Sequence, residues 1–274
     1  MRAIWKGFVS FGLVTIPVNV GIAQDRSDPS FRTLVRDTMR PVRQKRWDPD
    51  RDVEVTPDET VKGWEYAKGQ YVPVEEEDLS AFAPRQEKTV QILQFVELRE
   101  VDPIFFEKAY WLEPQERAER PYALLAAALE RTGRAALGRF VLSTKEHLVL
   151  LRAVDGVLAL QTLYYPEDVR TEVREDIRAR VAGVEVAGPE LEMAEQLVQG
   201  MTRPFAPEAY PNETRAAILA MLQARAAGQE PSAPAATPEA APVVDLMAAL
   251  RASLEAARRE DPEALPAGQE RAAS

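Results

Sequence analysis

The sequence predicts a mixed α+β fold, a predominantly antiparallel β-barrel core followed by a helical C-terminal arm. Three observations lead there. Residues 1–165 contain roughly nine strand-like runs and one or two helical ones, and no helix alternates regularly with the strands, which disfavours a doubly wound parallel sheet. From about residue 189 onward the apolar residues fall at helical spacing instead. A Pro- and Ala-rich stretch without periodicity, residues 228–242, then separates these helices from one last amphipathic segment.

The first element is Arg2–Val20. It is almost continuously apolar and β-branched from Phe8 to Val18, with Gly12 and Pro17 in it. That composition makes a poor helix, and the run is too short and too broken to span a membrane. It reads as two buried strands, Ile4–Phe11 and Leu13–Val20, bent at Gly12. Lys6, Gly12 and Pro17 also spoil a signal-peptide reading, so a cytoplasmic protein is expected.

Ser30–Val35 reads as a short strand leading into Arg36–Arg46, RDTMRPVRQKR, the densest basic run in the chain. Such a run fits phosphate contact and equally fits a solvated loop. Asp48–Asp58 is an acidic loop. Val61–Val74 is a hairpin turning at Lys68-Gly69. Glu75–Phe82 opens a short helix whose first carboxylates, Glu75, Glu76, Glu77 and Asp78, read as a solvated helix start rather than a metal cluster. Thr89–Leu98 is a strand, with Val90, Ile92 and Gln94 alternating with Gln91, Leu93 and Phe95. Asp102-Pro103 turns the chain into the next strand, Phe105–Leu112. Pro121 opens a helix, Tyr122–Thr132, with Leu124, Leu125, Ala128 and Leu129 on one face and Gly133 as its stop. Leu137–Leu142, Leu148–Arg152 and Val157–Leu163 are strands, the last two joined at Asp155-Gly156.

Pro189–Thr202 carries Leu191, Ala194, Leu197, Val198 and Met201 at helical spacing. Asn212 can cap a second helix running to about Ala227, with Ile218, Leu219 and Leu222 on one face. In Val243–Glu260, Val243, Leu246, Met247, Leu250, Leu254 and Ala257 share a face. An amphipathic helix after a flexible tether suits docking to a partner. Residues 261–274 are small and polar and read as a disordered tail.

The 274 residues include no cysteine and a single histidine, His147, which removes thiolate metal sites, His clusters and serine–histidine triads by counting. His147 reads as a structural residue in a strand hairpin. No phosphate loop, nucleophile elbow or glycine-rich dinucleotide turn is present. No catalytic residue, metal or cofactor is therefore expected. The net charge of −10 is unevenly spread. Residues 1–46 hold nine Lys/Arg against three acids, a net of +6, which leaves 25 bases and 41 acids, a net of −16, for the rest. With a Debye length of about 8 Å a polyanion feels the local patch more than the total.

Several motifs, in order, carry a resemblance. RAIWKG at 2–7, SFGLVTIPV at 10–18, KGWEYAKGQYVPV at 62–74, DPIFFEKAYWLEP at 102–114, KEHL at 145–148 and ELEMAEQLVQGMT at 190–202 are similar to segments of the bacterial Ku proteins. DLMAALRASLEAARR at 245–259 resembles the C-terminal segment that such proteins use to engage DNA ligase D. The cysteine pair and the lysine-rich tail of many relatives are absent. The resemblance implies a Ku core over 1–227, a linker over 228–242, a docking helix over 243–260 and a tail over 261–274. It implies a non-catalytic homodimer whose barrel and arms form a ring around duplex DNA ends in non-homologous end joining. For DNA contact it directs attention to Lys6, Arg36, Arg40, Arg43, Lys45 and Arg46, and secondarily to Arg131, Arg134, Arg139 and Lys145. For the ligase it points to Val243, Leu246, Met247, Leu250 and Leu254. Glu87–Pro114, with long proline-bounded strands, is the expected source of the ring arms. A protein-binding scaffold without DNA affinity and a metal-dependent nuclease are the competing classes.

Overall fold

The structure, a computed structural model, describes residues 1–25, 27–82, 88–142, 145–229 and 246–260. It divides into a unit of residues 1–171 and a second unit from residue 172.

In the first unit β1 (Ala3–Phe11) and β2 (Val14–Ile22) form a tight hairpin. Gly12 makes the turn at φ +58°, a conformation open to glycine at little cost. An excursion follows with β3 (Trp47–Asp48), β4 (Val53–Glu54), β5 (Lys62–Ala67), β6 (Gln70–Val74) and α1 (Glu76–Phe82). The chain returns as β7 (Thr89–Glu97) and β8 (Phe106–Pro114), crosses in α2 (Glu119–Thr132), and finishes with β9 (Arg134–Leu142), β10 (Lys145–Val154) and β11 (Val157–Leu163).

Seven strands close into a barrel in the order β1-β2-β8-β11-β10-β9-β7. Every pairing is antiparallel except β1 with β7, which is parallel. That one exception closes the barrel. Alternate residues such as Val9, Ile16, Val18, Val90, Phe140 and Leu151 are fully buried in one cluster. A second cluster, Ala135, Leu150 and Leu163, is covered by Val101, Phe105 and Phe106. Strands β9–β11 are therefore buried on both faces along part of their length, which is why LVLL at 148–151 is wholly apolar.

α2 packs on β9, β10 and β11. Its buried face is Tyr122, Leu125, Ala126 and Leu129, while Leu124 is 72% exposed. The helix is thus turned about its axis relative to the sequence expectation. The cause is Tyr122, whose hydroxyl donates to the Leu112 carbonyl and accepts from the Leu158 N–H, both at 2.7 Å. This one side chain ties α2 to β8 and β11, and burial pushes its phenol above the usual tyrosine range. Gly133 ends the helix at φ +63° as expected.

Two further expectations fail in this unit. Ser30–Val35 is not a strand; a single bridge, Leu34 to Pro41, replaces it. The expected arm segment Glu87–Pro114, of which Glu87 lies outside the described residues, carries barrel strands β7 and β8 instead. The segment that leaves the barrel at Ile22 and returns at Thr89 stands out instead, since none of its described side chains is buried.

The second unit contains α3 (from Thr171 to Val181), α4 (Gly188–Met201), α5 (Glu213–Ala226) and α6 (Leu246–Glu260). Asn212 caps α5 by accepting the Arg215 N–H at 2.9 Å. α4 packs against α6. α3 was not foreseen: Val173, Ile177 and Val181 recur every four residues, but the stripe is one residue wide among charges. Val243 and the residues of the expected linker and tail, 230–245 and 261–274, lie outside the described residues. No described helix is long and apolar enough to cross a membrane.

Candidate nucleic-acid interface

The basic run is displayed by a small turn. The Val35 N–H donates to the Arg40 carbonyl at 2.9 Å, the Val42 N–H to the Thr33 carbonyl at 3.0 Å, and the Met39 N–H to the Val35 carbonyl at 2.8 Å. These bonds hold Arg36 and Arg40 beside the tip, with Arg43, Lys45 and Arg46 leading toward β3. All five side chains are exposed. Among the described residues only Lys45 of this group has a carboxylate at ion-pair distance, that of Glu54 on β4. Arg36, Arg40, Arg43 and Arg46 have no carboxylate at ion-pair distance there. Exposed, unneutralised guanidinium groups on a loop suit phosphate oxygens and read no base sequence.

The next turn is built from local hydrogen bonds rather than packing. Asp48 accepts from Arg51 Nε at 2.5 Å and from the Asp50 N–H at 3.0 Å. The Arg51 guanidinium, aided by those backbone N–H groups, holds the Asp48 carboxyl below its ordinary range. Glu59 is lowered in the same way by the N–H and hydroxyl of Thr56, at 2.8 and 3.0 Å. The first carboxylates of α1 face solvent, and Glu76 pairs with Lys62 at 2.7 Å. Among the described residues no group of three acidic or histidine side chains could hold a metal ion.

The same excursion leaves large apolar groups bare. On the β5–β6 hairpin Trp64 and Tyr66 lie with ring centroids 6.3 Å apart, and Tyr71 on β6 is 61% exposed. Phe31, Met39, Trp47 and Phe82 are exposed as well. The sequence places Trp64, Tyr66 and Tyr71 in a hairpin but does not reveal their exposure, because hairpin periodicity looks the same on a free ribbon and on a covered sheet.

The barrel residues do not form one patch. Lys6 points outward on β1 between exposed Ile4 and Phe8. Arg131 sits in the last turn of α2, where a cation also favours the helix dipole. Arg134 starts β9, and Lys145 begins β10 opposite Leu142. At about 3.3 Å per residue these two lie about 26 Å apart along the strand pair. Arg139, between them, faces Glu146 at 3.8 Å. Arg134 also borders an apolar cleft of about 560 Å³ lined by Phe11, Val14, Phe95, Leu124 and Ala128. His147 is half-buried in β10 opposite Phe140.

On α6, Met247 and Leu250 are half-buried and Leu254 is buried. Leu246 begins the helix.

The family model for the Ku70/Ku80 beta-barrel domain matches residues 10–193, more than half of the chain. The chain belongs to the Ku family. It is 42% identical over 261 residues to the non-homologous end joining protein Ku of Symbiobacterium thermophilum, covering 95% of this chain and 64% of that relative. The chain thus spans less than two thirds of that protein's length. The Ku protein of Heliobacterium modesticaldum is 41% identical, over 93% of this chain and 92% of its own. That of Bacillus subtilis is 35% identical, over 97% and 87%. The Ku membership read from the opening motifs holds, and so does the barrel that it implied.

Proposed function

We propose that this chain binds double-stranded DNA ends as a ring-shaped homodimer, without a catalytic step, protects them, and recruits DNA ligase D in non-homologous end joining. The observation that carries the reading is the excursion between β2 and β7. It combines a run of unpaired arginines with aromatic surface that its own fold leaves uncovered. Exposed apolar surface on that scale calls for a partner. A second copy meets it with a two-fold interface from one gene product. Arg36, Arg40, Arg43, Lys45 and Arg46 then grip phosphates, with Lys6, Arg131, Arg134, Arg139 and Lys145 as further contacts. Enclosure holds an end regardless of its sequence, and counterion release supplies affinity. Val243, Leu246, Met247, Leu250 and Leu254 form the ligase-docking stripe. The protein works in the cytoplasm, on the nucleoid when bound to DNA. Names of relatives that refer to end joining favour this over a scaffold or a nuclease.

The test is a gel-shift comparison of linear and covalently closed circular duplex of equal length at several salt concentrations. Expected is stable binding to the linear form alone, weakening steeply with salt. Equal retention on both forms would remove the enclosure.

A further inference from the structure

We infer that the C-terminal helix α6 is latched by α4, and that α4 and the ligase compete for the same face of α6. The inference rests on the docking role just proposed. α6 has one apolar face. Met247, Leu250 and Leu254 are turned inward, whereas Arg251, Ala252, Ser253, Glu255 and Ala256 are exposed. α4 lies against α6. On α4, Met193, Ala194 and Leu197 are half-buried and Gly200 is buried, while Leu191 and Val198 on the other side are exposed. The covered side of α4 follows an i, i+1, i+4, i+7 pattern, one stripe matched to one stripe.

Two consequences follow from helix physics. A 15-residue helix is marginal in water on its own, so the contact with α4 keeps α6 helical. The same contact covers the apolar side chains of α6 that are turned inward among the described residues, Met247, Leu250 and Leu254. A partner that needs Met247, Leu250 and Leu254 must therefore displace α4. The 19 residues between α5 and α6 allow a span of up to about 65 Å by covalent geometry, so the chain length does not hold a released helix in its seat. The apparent affinity for the ligase is reduced by the fraction of chains in which α6 is released. The ligase site is thus a gated one, opened by whatever loosens α4.

The experiment uses the full chain with Ala194→Glu and, separately, Leu197→Glu. Glutamate is a good helix former, so α4 itself is retained. Hydrogen exchange of residues 246–260 and titration with DNA ligase D are both read, with retained binding to linear DNA as the folding control. Expected is faster exchange in 246–260 together with roughly tenfold tighter ligase binding, the gain when about a tenth of the chains are open at rest. Leu250→Glu should speed exchange equally but abolish ligase binding. Unchanged exchange in both α4 variants would overturn the latch, and faster exchange with unchanged ligase affinity would overturn the competition. Deleting residues 246–274 separates the two levels. If ligase affinity survives that deletion, the docking role itself fails and the competition falls with it. If the deletion abolishes binding while the α4 variants alter nothing, the docking role stands and the latch alone is lost.

Discussion

The barrel and the excursion between β2 and β7 are made from one chain with opposite logic. The barrel buries Val9, Phe140 and Leu151 completely and closes its own hydrogen-bond edges. The excursion buries none of its described side chains, yet carries Trp47, Trp64, Tyr66 and Tyr71. Two two-stranded ribbons cannot sustain themselves in water. What the difference teaches is a division of labour. The barrel buries its own apolar surface, and the excursion leaves its apolar surface open, which the proposed function assigns to DNA and a second copy.

The sharpest break of this contrast is in the barrel. Phe140→Ala removes a fully buried ring that packs edge-on against Trp5, with centroids 4.9 Å apart, and should cost about 3–5 kcal/mol in denaturant unfolding. Tyr122→Phe strands the Leu158 N–H and the Leu112 carbonyl and should cost about 1–3 kcal/mol by the same measurement. A loss under half a kcal/mol in both would mean that the barrel is not the self-sufficient part.

Replacing Arg36, Arg40, Arg43 and Arg46 together by Gln should leave barrel unfolding within about 0.5 kcal/mol of the parent. The slope of log affinity for linear duplex against log salt should become shallower by about 3.6, at roughly 0.9 per phosphate released. An unchanged slope would show that these exposed cations face something other than DNA.

The smallest effect is that of pH. Asp48 and Glu59 have lowered carboxyls in the folded excursion. Their contribution is fully present above the unfolded values, 3.8 for Asp48 and 4.5 for Glu59, and is lost as pH falls through the lower folded ones. Tyr122 has the opposite sign: its raised phenol contributes below the unfolded value of 10.0, and that contribution is lost as pH rises through the higher folded one. Acid should therefore loosen the excursion first and alkali the barrel. The indole N–H signals of Trp47 and Trp5 report the two regions by NMR, and Trp47 should shift first on acidification below about pH 4. Simultaneous shifts would erase the distinction.

Most barrel strands were legible because alternation and turn residues agree. Gly12, Asp155-Gly156 and Gly133 each mark a positive-φ corner that the structure uses. The orientation of α2 was not, since Tyr122 counts as half-polar by pattern but its one hydroxyl both donates and accepts a hydrogen bond inside the core. The origin of the excursion was misplaced for a related reason. Thr89–Glu97 and Phe106–Pro114 look like free ribbons until the closing β1–β7 pairing, a long-range parallel contact, is known. The basic run was legible as charge, while it took coordinates to see that Lys45 pairs with Glu54 and that its four arginines have no carboxylate at ion-pair distance among the described residues. The stripe on α6 was legible, but the matching stripe on α4 that covers it was hidden, because helical spacing does not say which two helices meet.

The central claim is that the bare aromatic surface of the excursion is closed by a second copy. Light-scattering mass of the purified full chain, compared with one carrying Trp64→Ser, Tyr66→Ser and Tyr71→Ser, tests it directly. Expected is twice the 30.6 kDa of a single chain for the parent and a shift toward 30.6 kDa for the triple variant. A parent of 30.6 kDa at micromolar concentration, or a triple variant with undiminished mass, would contradict it.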